Sequence, residues 1–543
     1  MVSVSQPGRV WGTRGVVWLV ALLAAVVHMV PYWHAQVSAR DGYEFSGNLT
    51  ISPDYMQYRV WERQAVREGP IVSNAFTTEP NRAHLPVFYY WAIGRTAVAL
   101  GVRPEAVYAY SGALFAVALT CLIWAFVSRS MSAGPARWWA FAAIMFGGGL
   151  GGHIKVLEAI PGLSQVGLIR RLLIEPAAAW PVFEEYRGHY VFRALYDSHF
   201  LLLWVVALLA ILAMARAIES YSRGRAMLAA LGCAAMTLLH VYEGVTLWAI
   251  AVAAVLAAWH HPEERRVAWR VVGWCTIGVA VVYAALGAVY ARSGLPLPGW
   301  HAVNILFSVV VIAFPISWGL MAIGLRDYWR AAGTRERFLV AWAGACTALT
   351  LSGPFYPYPD RGTLTMSVPV LLIGAMIFAA RYGRPGWRSA VVALAVFAAG
   401  PVWQGARSWV FSGFRPDAPF MYLSPGHRAV RDSLVAQSDT GQVLLAEPAE
   451  LLWLAPTFPG RLHVGHFFLT VGYKAKHEQL QRALASPADS LPALLSASGS
   501  DWLFVGARRD HAAIERAASL RAVISVPEGT LYAVEPGTRG VTP

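Results

Sequence analysis

The sequence predicts a mainly α, polytopic transmembrane helical bundle of about eleven spans, with long outer loops and a small C-terminal α/β domain. Three observations predict it. Of 543 residues, 57% are apolar and only 14% charged, against a charged share of roughly 25% in soluble domains. Apolar runs near span length recur from Gly15 almost to Gln404, and the mean hydropathy is +0.46. Arginines cluster in alternate short connections between these runs. An ordinary cytosolic protein is excluded. The net charge of +13, from 44 Lys+Arg against 31 Asp+Glu, lies mostly in those connections. It reads as membrane topology, and no nucleic-acid partner is expected.

The first run, Gly15 to Tyr32, follows Arg9 and Arg14, and Pro31, Tyr32 and Trp33 stand where small residues would mark cleavage. It is therefore expected to stay as an uncleaved span. Further spans are expected at Ala106–Phe126, Trp138–Leu150, Leu195–Ala215, Met227–Leu239, Val245–Ala258, Val271–Tyr290, Val303–Leu325, Phe338–Leu351, Leu364–Ala380 and Ala390–Val402. Alternate connections carry Arg129 and Arg137, then Arg216, Arg223 and Arg225, then Arg265, Arg266 and Arg270, then Arg326, Arg330, Arg335 and Arg337, then Arg381, Arg384 and Arg388. The opposite short loops hold only Arg292 and Arg361. The positive-inside rule then places the N-terminus in the cytoplasm, and an odd number of spans places the tail from Gly405 outside. Cys121, Cys233, Cys275 and Cys346 all fall in apolar segments without metal or disulfide spacing, which predicts a packing role.

Three segments break the rhythm of short loops, all on the predicted outer face: about 33–105, about 151–194, and the tail. Segments of this length are commonly functional. The expected organisation is a membrane domain over 1–404 and an extracytoplasmic domain over 405–543. In the tail, Gln442–Ala446 and Trp502–Val505 read as strands, Ala449–Leu454 and Lys474–Leu484 as helices, and Ala522–Val526 with Thr530–Val534 as a hairpin around Gly529. No internal repeat suggests the inverted halves of a transporter.

In the first outer loop, Ser52 followed by Pro53 is a helix-start signal, which puts Asp54 in the first turn. Tyr58, Trp61 and Ala65 follow on one face and Arg59, Arg63 and Arg67 on another, a pattern suited to a helix lying on the membrane surface. The plain structural role for Asp54 is to favour the helix macrodipole. The second outer loop holds His153, Glu158, Glu184, Glu185 and His189, which are weak candidates for a divalent cation such as Mg or Mn, with no diagnostic spacing. Arg170 and Arg171 read by default as solvated surface, the alternative being contact with lipid headgroups or a phosphate. Asn48-Leu49-Thr50 matches the glycosylation sequon, a pattern common by chance.

The stretch Phe45-Ser46-Gly47, Pro53-Asp54-Tyr55-Met56-Gln57-Tyr58, Glu68-Gly69 and Thr77-Thr78-Glu79-Pro80 resembles the first loop of C-type (GT-C) glycosyltransferases. These multi-span enzymes take sugar from a polyprenyl-phosphate carrier; examples are protein O-mannosyltransferases and lipid A aminoarabinose transferases. Leu85–Leu100 as a juxtamembrane helix, Gly147-Gly148-Gly149-Leu150-Gly151, Leu238-Leu239-His240, and Tyr356-Pro357-Tyr358-Pro359-Asp360-Arg361 before Val368-Pro369 agree with the resemblance. In the tail, Pro459-Gly460-Arg461, Gly465-His466 and Thr470 resemble uncharacterised bacterial members of the group. No chemistry follows from that.

The resemblance implies a multi-pass protein of the bacterial inner membrane that carries out one in-line displacement at an anomeric carbon. An acid of the first loop serves as general base for an acceptor hydroxyl on a glycan, lipid or protein. That acid maps to Asp54, and Asp41 is the rival. A positioned carboxylate contributes roughly 10²- to 10⁴-fold by taking the proton. The lipid phosphate that leaves needs a fixed cation, and Arg361 suits it through its planar fork, the alternative being an interfacial pair with Asp360. His240 and Tyr242 are further candidates for the donor phosphate, and Tyr58, Glu243 and Tyr358 for substrate. A transporter or flippase would instead carry ionisable or Gly/Pro-broken positions at mid-membrane, and the spans are almost free of charge at their centres. A non-catalytic scaffold is the third alternative.

Overall fold

The computed structural model describes residues 8–49, 53–147, 191–295, 314–352, 364–382, 409–410, 412–416 and 418–535, together with 162 and 165–167. Most of the expected apolar runs form helices. In chain order these are α1 (Gly8–Ser38), then, after the first loop, α4 (Pro104–Ser130) and α5 (Pro135–Phe146). There follow a short turn at Val191–Ala194 (α6), α7 (Ser198–Glu219), α8 (Arg223–Leu239), α9 (Val241–Ala257), α10 (Pro262–Ala291), α11 (Pro315–Ala331), α12 (Thr334–Leu351) and α13 (Ser367–Tyr382). The eleventh expected span, Ala390–Val402, lies outside the described residues. Among the described residues, four helices, Arg14–Ser38, Pro104–Ser130, Ser198–Glu219 and Pro262–Ala291, are long and apolar enough to cross a bilayer by length and composition.

The chain forms two compact units, each gathered from separated stretches. The first takes Met1–Val30, Ala109–Ala284 and Trp300–Val410. Its apolar core gathers around Trp204, Trp342, Leu119 and Ile144. Helix α7 packs on α8, α9 on α12, and α11 on α13. The outward surface is apolar as well: Leu19, Leu22 and Leu23 of α1 and Ile277 and Val281 of α10 are each more than half exposed. A surface of that kind is stable only in hydrocarbon, where each helix satisfies its own backbone groups. This is a multi-pass helical membrane protein.

Helix ends in this unit are tied by charge. Glu219 at the end of α7 accepts from Arg129 at the end of α4 (2.5 Å) and from Arg335 at the start of α12 (2.8 Å). Arg337 of α12 pairs with Glu264 of α10 at 2.7 Å. Arg270 lies over the Tyr221 ring at 5.3 Å. Four of the arginine-bearing connections therefore meet at one end of the bundle, as alternation of the spans requires.

The second unit joins Pro31–Tyr108, Ala285–Gly299 and Phe411–Pro543. Its first loop holds β1 (Glu44–Phe45), α2 (Pro53–Glu68), β2 (Ile71–Val72), β3 (Leu85–Pro86) and α3 (Phe88–Leu100). The tail adds β4 (Tyr422–Leu423), α14 (Pro425–Gln437), β5 (Val443–Leu445), α15 (Pro448–Leu454), β6 (Arg461–Leu462) and α16 (Tyr473–Ala485). It continues with α17 (Pro487–Ser498), β7 (Trp502–Gly506), α18 (His511–Ala517), β8 (Leu520–Val526) and β9 (Gly529–Val534). A five-stranded sheet runs in the order β6-β5-β7-β9-β8, parallel among its first three strands and antiparallel from β7 to β8. The tail is the α/β element the sequence predicts, and its expected strands and helices each form.

Loop and tail share one core in which Met56, Val60, Ala75 and Phe76 are buried with Leu444, Leu454, Phe458 and Leu462. Strand β1 pairs antiparallel with β4, Phe45 opposite Tyr422. The expected arginine face of α2 is not a surface. Arg59 is buried and bonded to Glu62 at 2.7 Å, while Arg63 donates to the carbonyls of Ala455 and Pro456. Only Arg67 stands exposed, and it reaches Pro459 O. Asn48 of the sequon is buried too, its Oδ1 accepting from Arg59.

Helix α2 ends at Gly69, whose φ of +99° lies in the left-handed region that favours glycine. It packs on α3 at Gly94, where an added Cβ would lie 2.6 Å from the Glu62 carbonyl oxygen and 2.7 Å from Val66 Cγ2. Gly94→Ala is therefore expected to destabilise this unit by about 1–3 kcal/mol, the usual cost of overpacking. Thermal melting of the detergent-purified variant checks it, and an unchanged midpoint would show that the two helices separate freely.

Candidate active site

Pro53 opens α2 and Asp54 sits in its first turn, as expected; Ser52 lies outside the described residues. The Asp54 side chain is 51% exposed while its neighbours Tyr55, Met56 and Tyr58 are buried, so the carboxylate is the open group on an anchored helix start. Tyr58 stacks on Tyr90 at 4.8 Å, with Trp61 at 5.4 Å from the same ring. It forms a wall of the α2–α3 contact.

The residue that meets Asp54 comes from the tail. His466 Nε2 lies 3.2 Å from Asp54 Oδ1, and its Nδ1 accepts from the Phe468 backbone N–H at 3.2 Å. A neutral ring that accepts at Nδ1 carries its proton on Nε2 and so donates to Asp54. The imidazole is almost fully buried, edge-on to Phe76 and stacked on Phe467 at 4.7 Å. Its turn is pinned: Gly465 N–H donates to Thr470 Oγ1, which donates to Phe76 O at 2.6 Å. The only sequence signal for His466 was its place in Gly465-His466, to which no chemistry attached.

Thr77-Thr78-Glu79 is an anchor to the tail. Lys476 Nζ donates to Glu79 at 2.6 Å, Thr77 Oγ1 also donates to Glu79, and Arg461 donates to Thr78 O. Burial works the other way, yet Lys476 and Thr77 hold the Glu79 carboxyl below its ordinary value. Beside them His463 Nδ1 lies 3.2 Å from Thr78 Oγ1, and burial, helped by the Lys476 ammonium and opposed by Glu79, pushes its imidazole down to about 4.

The other acids differ. Asp41 is exposed in the turn after α1. Burial pushes Glu62 up to about 7 against the pull of Arg59, but the side chain is 1% exposed and closed to an acceptor. In the first unit His240 separates α8 from α9, capping both. Its Nδ1 lies 3.1 Å from Glu243 Oε2, and Glu243 is buried at the start of α9 beside a partly buried Tyr242. Arg361, Tyr358, His153, Glu158, Glu184 and His189 lie outside the described residues. Among the described residues no group of three or more His, Cys, Asp or Glu is placed to hold a metal ion.

Comparison with solved structures identifies the fold. The chain has the GT-C fold. It is similar to ArnT from Cupriavidus metallidurans in the apo state, with a TM-score of 0.55, 12% identity, and 98% of this chain matched to 100% of that one. A mutant of the arabinofuranosyltransferase AftD from mycobacteria matches with a TM-score of 0.56 and 15% identity, over 96% of this chain and 41% of that one. The oligosaccharyltransferase from Archaeoglobus fulgidus in the apo form matches with a TM-score of 0.52 and 11% identity, over 91% of this chain and 69% of that one. No protein-family model and no curated protein sequence matches the chain.

His463 gives an acid-sensitivity prediction. Its folded value near 4 lies below the roughly 6.5 of a free histidine, so between these values the unfolded chain binds a proton that the folded chain refuses. The stability this contributes is complete above about pH 6.5 and is lost as pH falls through about 4, at most about 3 kcal/mol. Melting midpoints from pH 7 to 4 should therefore fall less steeply in His463→Asn than in the wild-type protein. Equal slopes would assign the acid loss to other groups.

Proposed function

We propose that this protein is a membrane glycosyltransferase that moves a sugar from a polyprenyl-phosphate donor to an acceptor hydroxyl, with Asp54 as general base. The fold shared with ArnT, AftD and the oligosaccharyltransferase supports the class. The observation that carries the assignment is the half-exposed Asp54 carboxylate, on a helix start anchored by the buried Tyr55, Met56 and Tyr58. In the reaction the acceptor oxygen forms a bond to the anomeric carbon on the face opposite the phosphate, and its proton passes to the Asp54 carboxylate. The carbon–oxygen bond to the phosphate breaks, the electron pair leaves on the lipid phosphate, and the anomeric centre inverts. Arg361 and His240, with the Tyr242 hydroxyl, are proposed to meet the phosphate and Tyr358 to serve the substrate; Tyr58 and Glu243, expected to touch substrate, are both buried and are not given that role. Asp41 is the alternative base. The site is proposed to face the outside of a bacterial inner membrane, with the N-terminus cytoplasmic and the domain from about 405 extracytoplasmic.

Asp54→Asn keeps the shape and removes the base. It should leave folding unchanged and cut transfer from a polyprenyl-phosphate sugar by at least about 10². Full activity in the purified variant would remove Asp54 from this role. Arg361→Ala should raise the donor KM well above any change in the acceptor KM, and equal effects on both would argue against a phosphate contact.

A further inference from the structure

The Asp54 carboxylate is not left to orient itself. His466 lies 412 residues further along the chain and reaches Asp54 Oδ1 at 3.2 Å from a nearly closed position, its own tautomer set by the Phe468 N–H. The ring cannot swing easily, since Phe467 stacks on it and Phe76 stands edge-on. The segment that carries it is bonded to the first loop on both sides: Leu462 N–H donates to Ala75 O at 2.8 Å before it, and after it Thr470 donates to Phe76 O and Asn74 to Leu469 O at 2.7 Å.

We infer that His466 is a positioning residue for the transfer reaction: its Nε2–H holds one oxygen of Asp54, fixing the carboxylate for proton uptake from the acceptor. The inference rests on the reading of Asp54 as base and adds the part that the C-terminal domain plays in it. An ionised carboxylate offers about four lone-pair sites, so the bond from His466 restrains its torsion without using up its accepting capacity. A half-exposed side chain that rotates freely spends much of its time misaligned, and a misplacement of about 1 Å costs on the order of 10² in rate. The charge state of His466 does not change in the step. The proton travels from the acceptor oxygen to Asp54, and the imidazole keeps its own.

The test separates a donor from a filler. Gln can place an amide N–H where His466 Nε2–H stands, whereas Phe fills the same aromatic stack and donates nothing. In full-length, detergent-purified protein, His466→Phe is expected to lower kcat by about tenfold to a hundredfold with the acceptor KM nearly unchanged, and His466→Gln to recover most of that loss. His466→Asn, whose amide stops short of Asp54, serves as the non-donating variant if the Phe form does not fold. Asp54→Asn combined with His466→Phe should be no slower than Asp54→Asn alone, because the two act as one unit. Retention of kcat in the non-donating variants, or an equal loss in the Gln variant, overturns the role of His466 and leaves Asp54 in place. Retained activity in Asp54→Asn itself overturns the reading beneath it.

Discussion

The seam between the first loop and the C-terminal domain is the constraint on which the site depends. Strands β1 and β4, one from each side, are two residues each, and a pair that short does not hold in water by itself. Phe76 is fully buried against Leu462 and Phe458, and Leu462 N–H donates to Ala75 O at 2.8 Å. Polar groups of α2 that would stay in water on a free amphipathic helix are taken inside. Arg59 meets Glu62 and Asn48 and lies over the Tyr108 ring at 4.7 Å, and Arg63 caps the carbonyls after α15. Removing the partners of such buried charges is costly, and for Arg63 those partners are carbonyls of the tail. The direction of the Asp54 carboxylate is thereby set by residues of the tail.

In the helical unit the constraint is the bilayer. Its helices contact each other through apolar and small side chains, and the charged groups are held back to helix ends. At Glu219 one carboxylate serves two arginines from different connections. Partly exposed pairs of this kind contribute little individually, but a shared acid fixes which helix ends are neighbours. The same alternation that suggested topology from arginine placement is therefore expressed as physical contact between the loops.

Much of this was legible in the sequence because hydrophobic periodicity is local. Span positions follow from runs such as Leu201 to Ala215, and β7, β9 and α16 follow from alternation or helical spacing read a few residues at a time. The start of α2 was legible from Pro53. What escaped depends on partners far away in the chain. Arg59, Arg63 and Arg67 have the spacing of a solvated stripe, and only the presence of Glu62 and of the Ala455 and Pro456 carbonyls takes Arg59 and Arg63 out of it, leaving Arg67 exposed. Helix α14 and strands β1 and β4 are too short or too polar to announce themselves. His466 has no local pattern at all, and its meaning lies in a contact made across most of the chain.

The acids of α2 show why electrostatic perturbation alone is a poor guide to a catalytic group. Glu62 has the raised affinity for protons that marks many general bases, with a value near neutrality caused by burial. Its oxygens are bonded to Arg59, and its side chain has no surface through which an alcohol could approach. To use it, the protein would have to break a buried ion pair and expose a guanidinium, at a cost of several kcal/mol. Asp54, eight residues earlier on the same helix, lacks that burial: it is half open to its surroundings, with one oxygen bonded to a buried imidazole. A base for an incoming hydroxyl must first be reachable and then aimed, which is why the proposal falls on the half-open Asp54 and not on the closed Glu62.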